Sequence, residues 1–84
     1  MSDIPYHKLR NLSAREFVGA LFHDGFYLSR QEGSHQQYTH RDGRRVTVTL
    51  HSLGQTFPAK TLKSMVEKQA RWTTDDLKRL GILK

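Results

Sequence analysis

The chain has 84 residues, 14 Lys and Arg against 8 Asp and Glu, a formal net charge of +6, and no cysteine. That length supports one domain over residues 1–84 with a modest core and a surface site, and the lack of thiols excludes both a disulfide framework and a thiolate metal centre. The positive charge favours a polyanion or an acidic protein surface as partner, and the lack of a signal-peptide core or of a run of ~18 to 20 apolar residues points to a cytoplasmic protein with no membrane role.

Residues 1–12 are polar, carry Pro5 and read as an extended lead-in. Ser13-Ala14-Arg15-Glu16 fits a capping box, so a helix starts there. Phe17, Val18, Leu21 and Phe22 recur at helical spacing, and Gly25 suits the left-handed position that ends the helix. Phe26 to Gln31 alternates apolar with polar residues and reads as a first strand, with Glu32-Gly33-Ser34 as the turn after it.

His35 to His40 and Arg45 to Leu50 form a second and third strand joined through Asp42-Gly43, a strong hairpin signal. Loop length decides which residues share a face, because a one-residue slip turns every side chain over. A three-residue loop with Gly43 left-handed pairs His40 with Arg44, Tyr38 with Val46 and Gln36 with Val48. A two-residue loop would set Gln37 among the valines, so the first register is preferred. It leaves His35, Gln37, Thr39, Arg45, Thr47, Thr49 and His51 on an open polar face.

After a loop from His51 to Phe57, Pro58 begins a second helix running to about Ala70, with Leu62, Met65, Val66 and Ala70 as its buried stripe. Thr73-Thr74-Asp75-Asp76 starts a short last helix by capping, Leu77 and Leu80 are its apolar positions, and Gly81 stops it. The order α-β-β-β-α describes an α+β fold: a three-stranded antiparallel sheet with two helices on one face, a short C-terminal helix, and the element order of a double-stranded-RNA-binding domain.

The residues able to do chemistry gather around His35. An imidazole has an ordinary pKa near 6.5 and can take a proton from a ribose 2′-hydroxyl at neutral pH. Gly33 leaves room for a phosphodiester beside it. On a bland reading His35 is an exposed polar residue, Arg44 and Arg45 are solvated charges guarding a hairpin, and Tyr38 and Trp72 pack. On a functional reading Arg44, Arg45, Lys60, Lys63 and Lys68 form a phosphate-binding track. His51 or His40 are candidates to protonate the leaving oxygen, and Lys60 or Lys63 to stabilise transition-state charge. Five histidines raise the question of a metal, but the chain has no His-Glu-x-x-His helix and no carboxylate cluster beside His35, so neither metal nor cofactor is expected.

Gly33-Ser34-His35, Tyr38, His40, Asp42-Gly43-Arg44-Arg45-Val46-Thr47-Val48, His51 and Thr61-Leu62-Lys63-Ser64-Met65-Val66 follow one another in an order and spacing that resemble the HicA family of bacterial toxins. With the helix ending at Gly25-Phe26, the resemblance spans roughly residues 13–70. Arg41 and Thr49 stand where the family often has proline, and Lys60 where it usually has glycine. The resemblance implies a metal-independent endoribonuclease acting on mRNA, with His35 as general base. Gly33, Ser34, Arg44, Arg45, His51, Lys60 and Lys63 are the candidate RNA contacts beside it, and the resemblance implies a HicB-type antitoxin that covers the His35 face. The alternatives are a non-catalytic RNA-binding module and an inactive homologue kept for a protein interaction. Gly33-Ser34-His35, which a pure binder does not need, favours the enzyme.

Overall fold

The structure is a computed structural model that describes residues 4–83. The first helix, α1 (Ala14–His23), starts as its capping box requires: Glu16 N–H donates to Ser13 Oγ at 3.1 Å and Ser13 N–H to the Glu16 carboxylate at 3.0 Å. The N–H groups of Ala14 and Arg15, which the helix itself cannot satisfy, donate to the carbonyls of Gln55 and Leu53. The loop before the second helix is thereby tied to the start of the first. Gly25 takes φ 99° and ends α1 as expected.

Phe17 and Leu21 are fully buried, but Phe22, expected on the same stripe, is 54% exposed. Its ring meets Tyr38 edge-on at 5.7 Å, at the border of the core. A residue that follows Leu21 by one step is rotated about 100° from it, beyond the face that the sheet covers. The lead-in also departs from expectation. Tyr6–Lys8 form a 3₁₀ turn, and Leu9 and Leu12 are buried in the core. A chain this short gains too much from covering apolar surface to leave two leucines in solvent. The part of the expected lead-in before Ile4 lies outside the described residues.

The sheet has the order β1-β2-β3, with β1 at Tyr27–Glu32, β2 at His35–Thr39 and β3 at Arg45–Thr49, all antiparallel. Tyr38 pairs with Val46 and Gln36 with Val48, the expected register. Gly43 takes φ 100° and His40 N–H donates to the Arg44 carbonyl at 2.9 Å, so the three-residue connection is present. Val46, Val48 and Tyr38 pack into the core that also holds Phe17, Leu21, Met65 and Val66. Buried Gln36 accepts a 2.6 Å hydrogen bond from the Tyr38 hydroxyl, so neither polar group is stranded.

Strand β1 is less regular than its alternation suggests. Leu28 pairs with Tyr38 and Arg30 with Gln37, so Ser29 is an extra residue in a bulge. The Ser29 hydroxyl donates to the Gln37 carbonyl at 3.0 Å and contacts Thr39 Oγ1 at 2.7 Å. Without the bulge Arg30 would face the helices. With it, Arg30 and Glu32 turn onto the open face with His35.

The second helix, α2 (Ala59–Lys63), is α-helical for five residues and then widens into a π-helical stretch over Ser64–Gln69. Apolar spacing alone reads this as one α-helix to Ala70, because the stripe of Leu62, Met65, Val66 and Ala70 is the same and all four are buried. The wider turn lets Gln69 accept the N–H of Thr47, on the free edge of β3, at 2.8 Å while donating to Ser64 Oγ at 3.2 Å. The last helix, α3 (Thr74–Arg79), is capped by Thr73 and Asp76 and followed by Gly81 at φ 80°, as its sequence requires.

Candidate functional site

The open face of the sheet has three rows, fixed by strand pairing. Tyr27, Thr39 and Arg45 form one end, Arg30, Gln37 and Thr47 the middle, and Glu32, His35 and Thr49 the other end. His35 is exposed and opens the central strand. It is aimed by a two-residue turn, Gly33-Ser34, because Glu32 and His35 are the last partners across the hairpin. Gly33 takes φ 57°, the left-handed region that a two-residue hairpin needs at its first position, and no atom lies within 4 Å of where its Cβ would be. The turn demands glycine there, and the space beside it is open.

Leu50 N–H donates to the Ser34 carbonyl at 2.7 Å, which extends the pairing past β3 and brings His51 to the His35 end of the sheet. Gln55 fixes this exit. Its Oε1 accepts from the N–H groups of His51 and Ser52 at 2.6 and 2.9 Å, and its Nε2 donates to the Thr49 carbonyl at 3.0 Å. Lys60 and Lys63 are exposed on α2. The far end of that helix meets β3 near Arg44 and Thr47, through Ala70 and Gln69.

Two candidates are placed elsewhere. Arg45 is on the open face, four residues along β3 from Thr49, about 14 Å at ordinary strand rise. Arg44 is turned inward. Its Nη1 donates to Asp24 Oδ2 at 3.1 Å and to the Ala70 carbonyl at 2.7 Å, its Nε donates to Asp42 Oδ2 at 2.7 Å, and its guanidinium lies 4.9 Å from the Phe26 ring centroid. Neither a solvated charge nor a free phosphate ligand describes it: it clamps the hairpin to the helices.

His40 is not a proton donor for chemistry at His35. Its side chain is 14% exposed, its Nε2 donates to the Asp24 carbonyl at 2.9 Å, and its Nδ1 accepts from Asp42 N–H at 3.1 Å. Both ring nitrogens are committed at the opposite end of β2. Tyr38 and Trp72 are buried and pack, as expected.

Asp24, which no local pattern marks, joins these parts. Besides Arg44, its carboxylate accepts from Trp72 Nε1 at 2.9 Å and Arg79 Nη2 at 2.9 Å. Burial pushes its pKa up, but the hydrogen bonds from Trp72 and Arg79 and the charges of Arg44 and Arg79 outweigh burial and hold it below the usual carboxylate value.

The basic residues on the open face and the imidazole at its end suit a phosphodiester. Among the described residues, no group of three or more His, Asp or Glu side chains is gathered as metal ligands would be, and no helix is long and apolar enough to cross a membrane. No curated protein matches the chain significantly. A family model, that of the HicA toxin of bacterial toxin-antitoxin systems, matches residues 14–72, from the first residue of α1 through the buried Trp72. The match takes in the whole sheet, the His35 turn and the second helix, and the chain belongs to the HicA toxin family.

Proposed function

We propose that this toxin is a metal-independent endoribonuclease, an mRNA interferase, with His35 as its general base. The observation that carries the reading is the exposed imidazole at the start of the central strand, beside an unobstructed glycine turn, in a chain of this family. The His35 ring takes the proton of a ribose 2′-hydroxyl. The 2′-oxygen then attacks the adjacent phosphorus, the bond to the 5′-oxygen breaks, and that oxygen takes up a proton from His51 or from water. The products are a 2′,3′-cyclic phosphate and a 5′-hydroxyl, with no cofactor consumed. Gly33, Ser34, Arg45, Lys60 and Lys63 hold the RNA, and Arg44 supports them from within the hairpin. A HicB-type antitoxin covers the same face and silences the toxin in the cytoplasm.

The test is cleavage of a single-stranded RNA by the purified chain in chelator. His35→Ala lowers the rate by about 100- to 10,000-fold, the usual range for loss of a positioned base, and leaves thermal stability unchanged because the ring is exposed. RNA carrying 2′-deoxy sugars is not cut. Full activity of His35→Ala overturns the mechanism. RNA binding without any cleavage by the wild type returns the protein to a non-catalytic RNA-binding module.

A further inference from the structure

The bulge at Ser29 turns Arg30 onto the open face, beside His35. Arg30 pairs with Gln37, two residues along β2 from His35, and side chains on such a diagonal are about 7 to 8 Å apart at their bases, within reach of an arginine. Arg30, Glu32, His35, Gln36, Gln37 and Thr47 line one hollow of about 70 Å³ on the open face. Arg30 Nη2 lies 3.1 Å from Glu32 Oε1, and both side chains are about 70% exposed, at 69% and 72%. An exposed pair of this kind is worth little to stability, so the side chain is not held there to support the fold.

We propose that Arg30 is a second catalytic residue, whose guanidinium grips the non-bridging oxygens of the phosphodiester cleaved at His35. The proposal rests on the His35 reading given above. A planar guanidinium presents paired N–H donors that match two phosphate oxygens, and its charge offsets the negative charge that grows on them as the 2′-oxygen attacks. The Glu32 carboxylate, directly across the hairpin from His35, is the present partner of Arg30, and the contact is exposed and weak enough for a phosphate to displace it.

The experiment compares single-turnover cleavage by the full chain and its Arg30→Ala, Arg30→Lys, Glu32→Gln and Arg41→Ala variants, with binding of a 2′-deoxy analogue measured alongside. Arg30→Ala is expected to lose about 100- to 1,000-fold in rate, the scale of removing one transition-state donor. Its affinity for the analogue should fall less than tenfold, and its melting temperature should not move. Arg30→Lys should recover part of the rate, because a point charge lacks the fork. Arg41, exposed in the connection at the other end of the sheet, is the control for charge alone, and its loss should cost less than threefold. The assignment is overturned, with the His35 mechanism intact, if the wild type yields cyclic phosphate and Arg30→Ala does so at a similar rate. It is also overturned if Arg41→Ala is as damaging, or if Glu32→Gln abolishes cleavage while Arg30→Ala does not. If the wild type yields no cyclic phosphate, the His35 mechanism fails first and this assignment with it.

Discussion

Asp24 is where the end of α1, the β2–β3 hairpin, Trp72 and α3 meet, through one carboxylate whose side chain is 9% exposed. Asp24→Asn removes the charge opposite Arg44 and Arg79 and should cost about 2 to 3 kcal/mol in a urea titration, the range for hydrogen bonds to a buried charged group. Because its folded pKa is depressed below the ordinary 3.8, the stability it contributes is fully present above that value and is lost as pH falls through the folded one. Wild-type stability should therefore drop more steeply below about pH 4 than that of Asp24→Asn, measured as urea midpoints across pH. Gly33 gives a second test at this scale. With φ 57° and open space around it, Gly33→Ala meets only backbone strain and should cost about 1 to 2 kcal/mol, and Gly33→Asn less, since asparagine tolerates that region. The turn at Gly33, the cap at Ser13 and the capped start of α3 were readable because each acts within a few residues. Asp24 was not, since its partners lie 20, 48 and 55 residues away and only the fold brings them together.

Elements were legible in proportion to how strongly burial fixes their phase. The β2–β3 register followed from two valines and a tyrosine that must share one face, and a slip would have exposed all three. Strand β1 offers no such constraint. All six of its residues are exposed, so no apolar pattern records the extra residue at Ser29. The π-helical widening was hidden for the opposite reason, since it preserves the apolar stripe and changes only the hydrogen bonding. Just beyond it, after Ala70, comes Arg71, a non-glycine residue at φ 57°. Arg71→Gly removes that strain at an exposed site and should raise stability by about 0.5 to 1 kcal/mol, after allowance for the freer unfolded chain, as read from the urea midpoint.

For the whole molecule, charge is sorted by the fold. Asp24, Asp42 and Asp76 are paired with Arg44 and Arg79 around the hairpin and α3, whereas Arg45, Lys60 and Lys63 are exposed. RNA binding should thus weaken steeply with salt, and in a titration of labelled RNA into His35→Ala the slope of log affinity against log salt should be near −0.7 per phosphate contacted. The sheet also divides the proposed site between strands of unequal security. His35 is on β2, bonded on both sides, whereas Arg30 is on β1, which is bonded on one side only and has no buried side chain. Amide protons of β1 should therefore exchange with deuterium through local opening well before those of β2 and β3. Each opening would part the guanidinium from the imidazole, so the proposed arrangement has a lifetime set by an edge strand, which an RNA bridging both strands would lengthen.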